Sequence, residues 1–100
     1  MSKLEVPKRI KSLVFEPKEI GGMTIKNRLI RSATYEGMAS EDGSVTDELP
    51  KLYKTLAEGG VGLIITGHTY VQPNGKAVPH QTGIDRDDLI PGLRKISETV

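Results

Sequence analysis

The feature that most constrains the fold is a nearly uninterrupted apolar run at residues 61–66, with the sequence VGLIIT. Strands buried on both faces of a parallel sheet have such continuous apolar sequences, whereas half-exposed strands alternate apolar with polar residues. The Gly59-Gly60 pair directly before the run is a strong turn signal. We therefore interpret residues 61–66 as a buried parallel strand that follows a tight connection.

An amphipathic helix is predicted just before this turn. Apolar residues recur there with the 3.6-residue period of one helix face: Leu49, Leu52, Tyr53, Leu56 and Ala57. Asp47 is the expected N-cap, which places Pro50 at the third helical position, where its missing N–H has no intrahelical partner. Gly59 is expected to end the helix. We expect Tyr53 and Leu56 to be core residues.

The start of the chain predicts a lead-in and a hairpin. Residues 1–12 are rich in Lys and Arg and are expected to form a flexible lead-in. Two short extended pieces, Leu13–Phe15 and Met23–Ile25, flank the Gly21-Gly22 turn signal. This arrangement predicts a small β-hairpin.

A further strand and a second helix complete the predicted elements. Residues 29–32 are expected to be a strand, and we expect Asn27 and Arg28, which precede it, to tie the hairpin to it rather than bind phosphate. Asp87 or Asp88 is the expected cap of a second helix, which continues to the last residue. Its apolar face consists of Leu89, Leu93, Ile96 and Val100.

The order of these elements predicts an α/β fold. Strands that alternate with helices favour a parallel sheet with right-handed crossovers, and long loops follow both predicted strands. In such folds, functional residues gather at the carboxyl ends of the strands. Two strands cannot close a barrel or complete a doubly wound sheet, because each would keep an unpaired edge. We therefore expect the chain to be the first part of a longer α/β protein, or to associate with a chain that completes its sheet.

Composition excludes several classes of function. The net charge of +1 gives no electrostatic case for nucleic acid or a membrane surface, and no apolar run is long enough to span a bilayer. The absence of cysteine excludes disulfides and thiolate metal sites and favours a cytoplasmic location. His68 and His80 have no second ligand at metal-binding spacing, so no metal site is expected. Gly59-Gly60-x-Gly62 precedes a strand, so it is not a nucleotide-binding loop.

Three segments in this order resemble the old yellow enzyme family, and in particular its NADH:flavin oxidoreductase and dienoyl-CoA reductase branch. They are LVFEPKEIGGMTIKNRLIRSATYEGMA, LYKTLAEGGVGLIITGHTYVQPNG and GIDRDDLIPGLRKISE. The resemblance implies an incomplete FMN-binding TIM (β/α)8 barrel at residues 13–100, consisting of a bottom hairpin and two β/α units. It also implies hydride transfer from NAD(P)H through FMN to an activated alkene or another small-molecule acceptor.

The resemblance also implies cofactor-binding positions. Ala33, Thr34 and Tyr35 match the family's segment beneath the isoalloxazine ring, and Gly67 and His68 match the end of the second strand, beside the ring. We call residues 33–35 and 67–68 the strand-end surface. Ala33 replaces a frequent Pro and Tyr35 replaces Thr or Cys, so either Thr34 or Tyr35 is expected to supply the side chain that tunes the flavin. The family's catalytic residues are expected beyond residue 100.

Other functions remain open at this point. The chain could be a catalytically inactive β/α fragment that forms a homo-oligomer or docks to another protein to complete its sheet. It could also belong to a phosphate-binding barrel enzyme that contains no flavin. Yellow colour in the full-length protein would favour the flavin enzyme, whereas a colourless product with an exposed edge strand would favour the fragment.

Overall fold

The computed structural model describes residues 12–100, so the flexible lead-in predicted for residues 1–12 lies, apart from Ser12, outside the described residues. Six short strands and two helices follow in chain order: β1 (Lys18–Ile20), β2 (Met23–Ile25), β3 (Ile30–Arg31), α1 (Glu48–Glu58), β4 (Leu63–Ile64), β5 (Thr69–Tyr70), β6 (Thr82–Gly83) and α2 (Ile90–Thr99). Single 3-10 turns occur at Leu13–Phe15, Pro73–Gly75 and Asp87–Leu89. No helix within residues 12–100 has the length and apolar character needed to cross a membrane.

The predicted hairpin is present, but its first strand was placed wrongly. β1 pairs antiparallel with β2, from Lys18 opposite Ile25 to Ile20 opposite Met23, and both turn glycines have positive φ angles. The Leu13–Phe15 segment forms a 3-10 turn instead of the first strand. The Oγ atom of Ser12 accepts a hydrogen bond from the amide of Val14 at 3.3 Å, and this local cap favours the turn over an extended chain.

A parallel strand pair forms the centre of the structure, as predicted. β3 pairs with β4, with Ile30 opposite Leu63 and Arg31 opposite Ile64. Both strands are shorter than the predicted ranges 29–32 and 61–66. The amide of Ile65 still donates to the Arg31 carbonyl at 3.0 Å, and this is the last backbone hydrogen bond between the two chain segments.

The two helices pack together on this strand pair. Leu49 and Tyr53 of α1 and Ile96 of α2 form the buried core cluster. The C-terminal end of α1 is as predicted, because Gly59 is the C-cap and its amide donates to the Thr55 carbonyl at 3.0 Å. Asp47 occupies the N-cap position without forming a side-chain cap hydrogen bond.

The start of α2 differs from the prediction. Asp87 and Asp88 lie in the 3-10 turn before the helix and do not cap it, because the Asp87–Leu89 turn leads directly into α2. Pro91 lies in the first turn of α2, where no intrahelical N–H is required.

The loop predicted after β4 contains a second parallel pair that the sequence did not reveal. β5 pairs with β6, with Thr69 opposite Thr82 and Tyr70 opposite Gly83. The side chain of Tyr70 is buried, and its hydroxyl donates to the Asp42 carbonyl at 3.0 Å. This contact joins the loop after β3 to the loop after β4.

Candidate functional site

The structure brings the two segments of the strand-end surface together at the carboxyl ends of β3 and β4. The rings of Tyr35 and His68 are in edge-to-face contact, with centroids 5.4 Å apart and planes at 88°. An ideal Cβ on Gly67 would lie 2.5 Å from the Thr34 carbonyl oxygen. Ala33 directly precedes Thr34 in the same exposed segment. Residues that are far apart in the sequence therefore form one continuous surface.

The hydroxyl groups of Thr34 and Tyr35 are both engaged with backbone carbonyls. Oγ1 of Thr34 donates to the Ser32 carbonyl at 3.0 Å, and the Tyr35 hydroxyl donates to the Pro79 carbonyl. By contrast, no acceptor within residues 12–100 is hydrogen-bonded to the amide N–H groups of Ala33, Thr34 or Tyr35. Backbone N–H groups are therefore the donors that this segment offers to a ligand.

The residue that sequence reasoning missed is Glu36, which follows the strand-end segment directly. Its side chain is only 7% exposed, and its Oε2 atom accepts a hydrogen bond from the Gly67 amide at 3.0 Å. The Tyr53 hydroxyl also donates to Oε2. Nη1 of Arg31 lies 3.5 Å from the same oxygen, which is an ion pair rather than a hydrogen bond. The available sequence signal was a charged residue, Arg31, next to the apolar residues Leu29 and Ile30 in the predicted strand.

Tyr53 is a core residue, as predicted, but its hydroxyl is also part of this polar cluster. The residue is 1% exposed, and the Arg31 guanidinium lies 5.7 Å from the centre of its ring. Burial, followed by the hydrogen bond to Glu36, raises the pKa of Tyr53 above its usual value. The phenol is therefore a proton donor to the carboxylate at neutral pH.

The opposite end of the parallel pair is fixed by Asn27. Its Nδ2 atom donates to the Gly60 carbonyl at 2.7 Å, and its Oδ1 atom accepts from the Leu29 amide at 3.0 Å. The Arg28 amide donates to the Val14 carbonyl at 2.7 Å. These contacts join the segment before β3 to the end of α1 and to the Leu13–Phe15 turn.

The loop between β3 and α1 is held by backbone-directed contacts near its tip. Nη2 of Arg86 donates to the Asp42 carbonyl at 3.2 Å, and the Gly83 amide donates to the Gly43 carbonyl at 3.0 Å. The hydroxyl and amide of Ser44 both donate to the Asp42 carboxylate, and these contacts lower the pKa of Asp42. The loop beside the strand-end surface therefore has a defined conformation.

The two histidines occupy separate places. His80 has a φ angle of 62°, and its Nδ1 atom lies 2.9 Å from the Ala39 carbonyl, while the Ala39 amide donates to the His80 carbonyl at 3.2 Å. His68 belongs to the strand-end surface through its contact with Tyr35. Across residues 12–100, no group of three or more His, Asp or Glu side chains could hold a metal ion.

Proteins that resemble this chain are enzymes several times its length. A metal reductase of Desulforamulus reducens is 37% identical over 89 residues, which cover 89% of the chain and 13% of the reductase. An NADH oxidase of Thermoanaerobacter brockii is 38% identical over 88 residues, which cover 87% of the chain and 14% of the oxidase. The solved old yellow enzyme of a Pichia species matches 87% of the chain at a TM-score of 0.82 and 29% identity, and this match covers 22% of that enzyme. The chain therefore spans only a minor part of the length of each relative.

A family model agrees with these individual matches. The model of the NADH:flavin oxidoreductase / NADH oxidase family matches residues 13–100. The resemblance to old yellow enzymes is thereby confirmed. Members of this family use FMN, with NAD(P)H as the reductant, as the resemblance implied. The chain belongs to the NADH:flavin oxidoreductase / NADH oxidase family.

Proposed function

We propose that this chain is the N-terminal segment of an FMN-dependent NAD(P)H oxidoreductase, in which the strand-end surface lies beneath the isoalloxazine ring. The observation that supports this best is the close approach of Gly67 to Thr34 at the carboxyl ends of two parallel strands. In α/β barrels this end of the strands is the active-site end. The proposed reaction transfers hydride from NAD(P)H to an activated alkene or another small-molecule acceptor.

The proposed architecture is the bottom hairpin and the first two β/α units of a TIM barrel. This architecture is supported by apolar residues in and next to β3 and β4 that are left exposed. Leu29, Ile30 and Ile65 are 44%, 48% and 48% exposed. Oδ1 of Asp85 is buried without a hydrogen-bond partner among residues 12–100. Further β/α units would cover these apolar side chains and supply the missing donor.

The residues of the strand-end surface fit a flat, electron-accepting ring. FMN, when bound, supplies the site that accepts and donates hydride. The amide N–H groups of Ala33, Thr34 and Tyr35, which have no acceptor among residues 12–100, can donate hydrogen bonds to carbonyl oxygens at a ring edge and so stabilise negative charge there. Gly67 lies with its backbone against Thr34 and Glu36, because their oxygen atoms occupy the space that a Cβ would need. The Tyr35 and His68 rings, in edge-to-face contact, provide an aromatic surface beside these amide groups.

Residues that bind the acceptor, donate the proton and hold the FMN phosphate are expected in the rest of the barrel. The main competing function is a catalytically inactive β/α fragment that self-associates, because the exposed apolar strands could also pair with a second copy. The two proposals differ in what they predict for the product of the complete reading frame. The flavin enzyme binds one FMN per chain, whereas the fragment forms a colourless oligomer.

The test is to produce the protein from its complete reading frame, reconstitute it with FMN and remove the unbound flavin. We expect a flavin absorption spectrum, release of FMN on denaturation, and anaerobic bleaching of the flavin by NADH or NADPH. Reoxidation by an activated alkene such as 2-cyclohexenone would then demonstrate the second half of the reaction. A protein that stays colourless after reconstitution overturns the proposal.

A further inference from the structure

A single carboxyl oxygen links four parts of the structure. Oε2 of Glu36 accepts from the Gly67 amide and the Tyr53 hydroxyl, and it forms the ion pair with Arg31. These groups come from the end of β4, from α1 and from β3, while Glu36 itself lies in the loop after β3. The side chain is 7% exposed, so these partners replace most of the water that a surface carboxylate would bind.

The Glu36 carboxylate connects the two chain segments beyond the point where backbone pairing between β3 and β4 ends. The last backbone hydrogen bond between them runs from the Ile65 amide to the Arg31 carbonyl. Beyond it, no backbone hydrogen bond within residues 12–100 joins residues 33–35 to residues 67–68. The hydrogen bond from the Gly67 amide to Glu36 therefore links the two segments of the strand-end surface.

Glu36 also lies immediately beside the residues that it would position. It directly follows Tyr35 in the chain, and its hydrogen-bond partner Gly67 directly precedes His68. A Cβ on Gly67 would lie 2.5 Å from Oε1 of Glu36, so the carboxylate fits against this glycine without room for another atom. A shift of the carboxylate would therefore be transmitted to both segments.

We propose that Glu36 is a positioning residue for the flavin, because its carboxylate fixes the spacing between residues 33–35 and residues 67–68. This inference rests on the proposed function, since it assumes that FMN lies on the strand-end surface. Glu36 acts through the backbone of Gly67 and need not contact the flavin. Arg31 balances the charge of the carboxylate, and the Tyr53 hydroxyl donates a hydrogen bond to it from the helix side.

The test compares two substitutions that each remove a buried hydrogen bond from the cluster. In the FMN-loaded full-length protein, Glu36→Ala removes the carboxylate that accepts from the Gly67 amide at 3.0 Å. Tyr53→Phe removes the second, longer acceptor of that amide, the Tyr53 hydroxyl at 3.2 Å, and keeps the carboxylate. Both should lower the thermal midpoint of the apoprotein. Glu36→Ala should weaken FMN binding by about tenfold or more and change the visible circular dichroism of the bound flavin, whereas Tyr53→Phe should weaken FMN binding much less for the same loss of thermal stability. Glu19→Gln, at an exposed position of β1, is the matched carboxylate control.

Two results would overturn the inference while leaving the proposed function standing. In the first, the wild type binds FMN and Glu36→Ala binds it with equal affinity and an unchanged spectrum. In the second, Tyr53→Phe and Glu36→Ala weaken FMN binding in proportion to their loss of thermal stability, which is the behaviour of a purely structural contact. If the wild type itself binds no FMN, the proposed function fails and the inference fails with it.

If the Glu36→Ala variant does not fold, Glu36→Gln tests the inference in its place. The amide oxygen can still accept from Gly67 and Tyr53, but the charge that balances Arg31 is lost. We expect a lower thermal midpoint, because the ion pair with Arg31 is lost, but FMN affinity within about threefold of the wild type and an unchanged visible circular dichroism, because the acceptor for the Gly67 amide remains. A loss of FMN affinity in proportion to the loss of thermal stability would overturn the inference.

Discussion

The backbone of Gly67 packs against the Thr34 carbonyl. A Cβ at position 67 would lie 2.5 Å from that carbonyl oxygen. The same Cβ would lie 2.5 Å from Oε1 of Glu36. Real Cβ atoms do not approach oxygen atoms this closely, so any larger residue must displace one of the two loops. A glycine at this position thus has a physical reason within this chain.

Gly67→Ala is therefore expected to destabilise the full-length protein. Overpacking of this kind costs about 1–3 kcal/mol, measured as the free energy of unfolding in urea. Gly75→Ala is the matched control, because the nearest atom to its added Cβ would be Cβ of Tyr70 at 3.9 Å. Equal unfolding free energies for the two variants would show that the loops are not packed as described.

Gly43→Ala and Gly22→Ala separate backbone strain from steric overlap. The two glycines have nearly the same φ angle, 88° and 87°, so alanine meets a similar conformational cost at both. An added Cβ on Gly43 would also lie 2.2 Å from the Tyr70 hydroxyl, whereas Gly22 has nothing within 4 Å. We expect Gly43→Ala to lower the unfolding free energy by at least about 1 kcal/mol more than Gly22→Ala does. A smaller effect at Gly43 would contradict the contact between its loop and Tyr70.

The elements that the sequence predicted well are those set by local periodicity. The apolar period that includes Leu49 and Tyr53 predicted α1, and the continuous apolar run at residues 61–66 predicted β4 and its parallel pairing. The Gly21-Gly22 pair predicted the hairpin turn. In each case neighbouring residues decide the local conformation, and tertiary packing agrees with them.

Features that depend on contacts between distant residues could not be predicted in this way. The partners of Glu36 lie up to 31 residues away, and no period or motif indicates that a carboxylate and a glycine amide will meet. The β5–β6 pair has only two residues in each strand, too few for an alternating pattern, and it lies in a Pro- and Gly-rich stretch. The 3-10 turn at Leu13–Phe15 was missed because an apolar triplet has no helical period.

Asn27→Ala should destabilise the protein without affecting the flavin. It removes the hydrogen bond to the Gly60 carbonyl and the one from the Leu29 amide, with an expected loss of about 1–3 kcal/mol in unfolding free energy. These contacts lie at the start of β3, the end opposite the strand-end surface, so the dissociation constant for FMN should stay within about twofold of the wild type. Asn74→Ala, in the exposed Pro73–Gly75 turn, is the control for loss of an asparagine side chain. A large loss of FMN affinity in Asn27→Ala would place this residue in the cofactor site.

Tyr53 should make the stability of the protein depend on pH in the alkaline range. Burial, followed by the hydrogen bond to Glu36, raises the pKa of its phenol above the ordinary value of about 10. The folded state therefore keeps this proton more tightly than the unfolded state does. The resulting stabilisation is fully present below about pH 10 and is lost as the pH rises through the folded-state pKa.

Tyr53→Phe has no phenolic proton to lose, so its unfolding free energy should approach that of the wild type as the pH is raised. Urea unfolding from about pH 8.5 to pH 11 measures this difference, and Tyr70→Phe is the control that keeps Tyr53. Parallel pH profiles for wild type and Tyr53→Phe would contradict a buried, carboxylate-bonded phenol at this position.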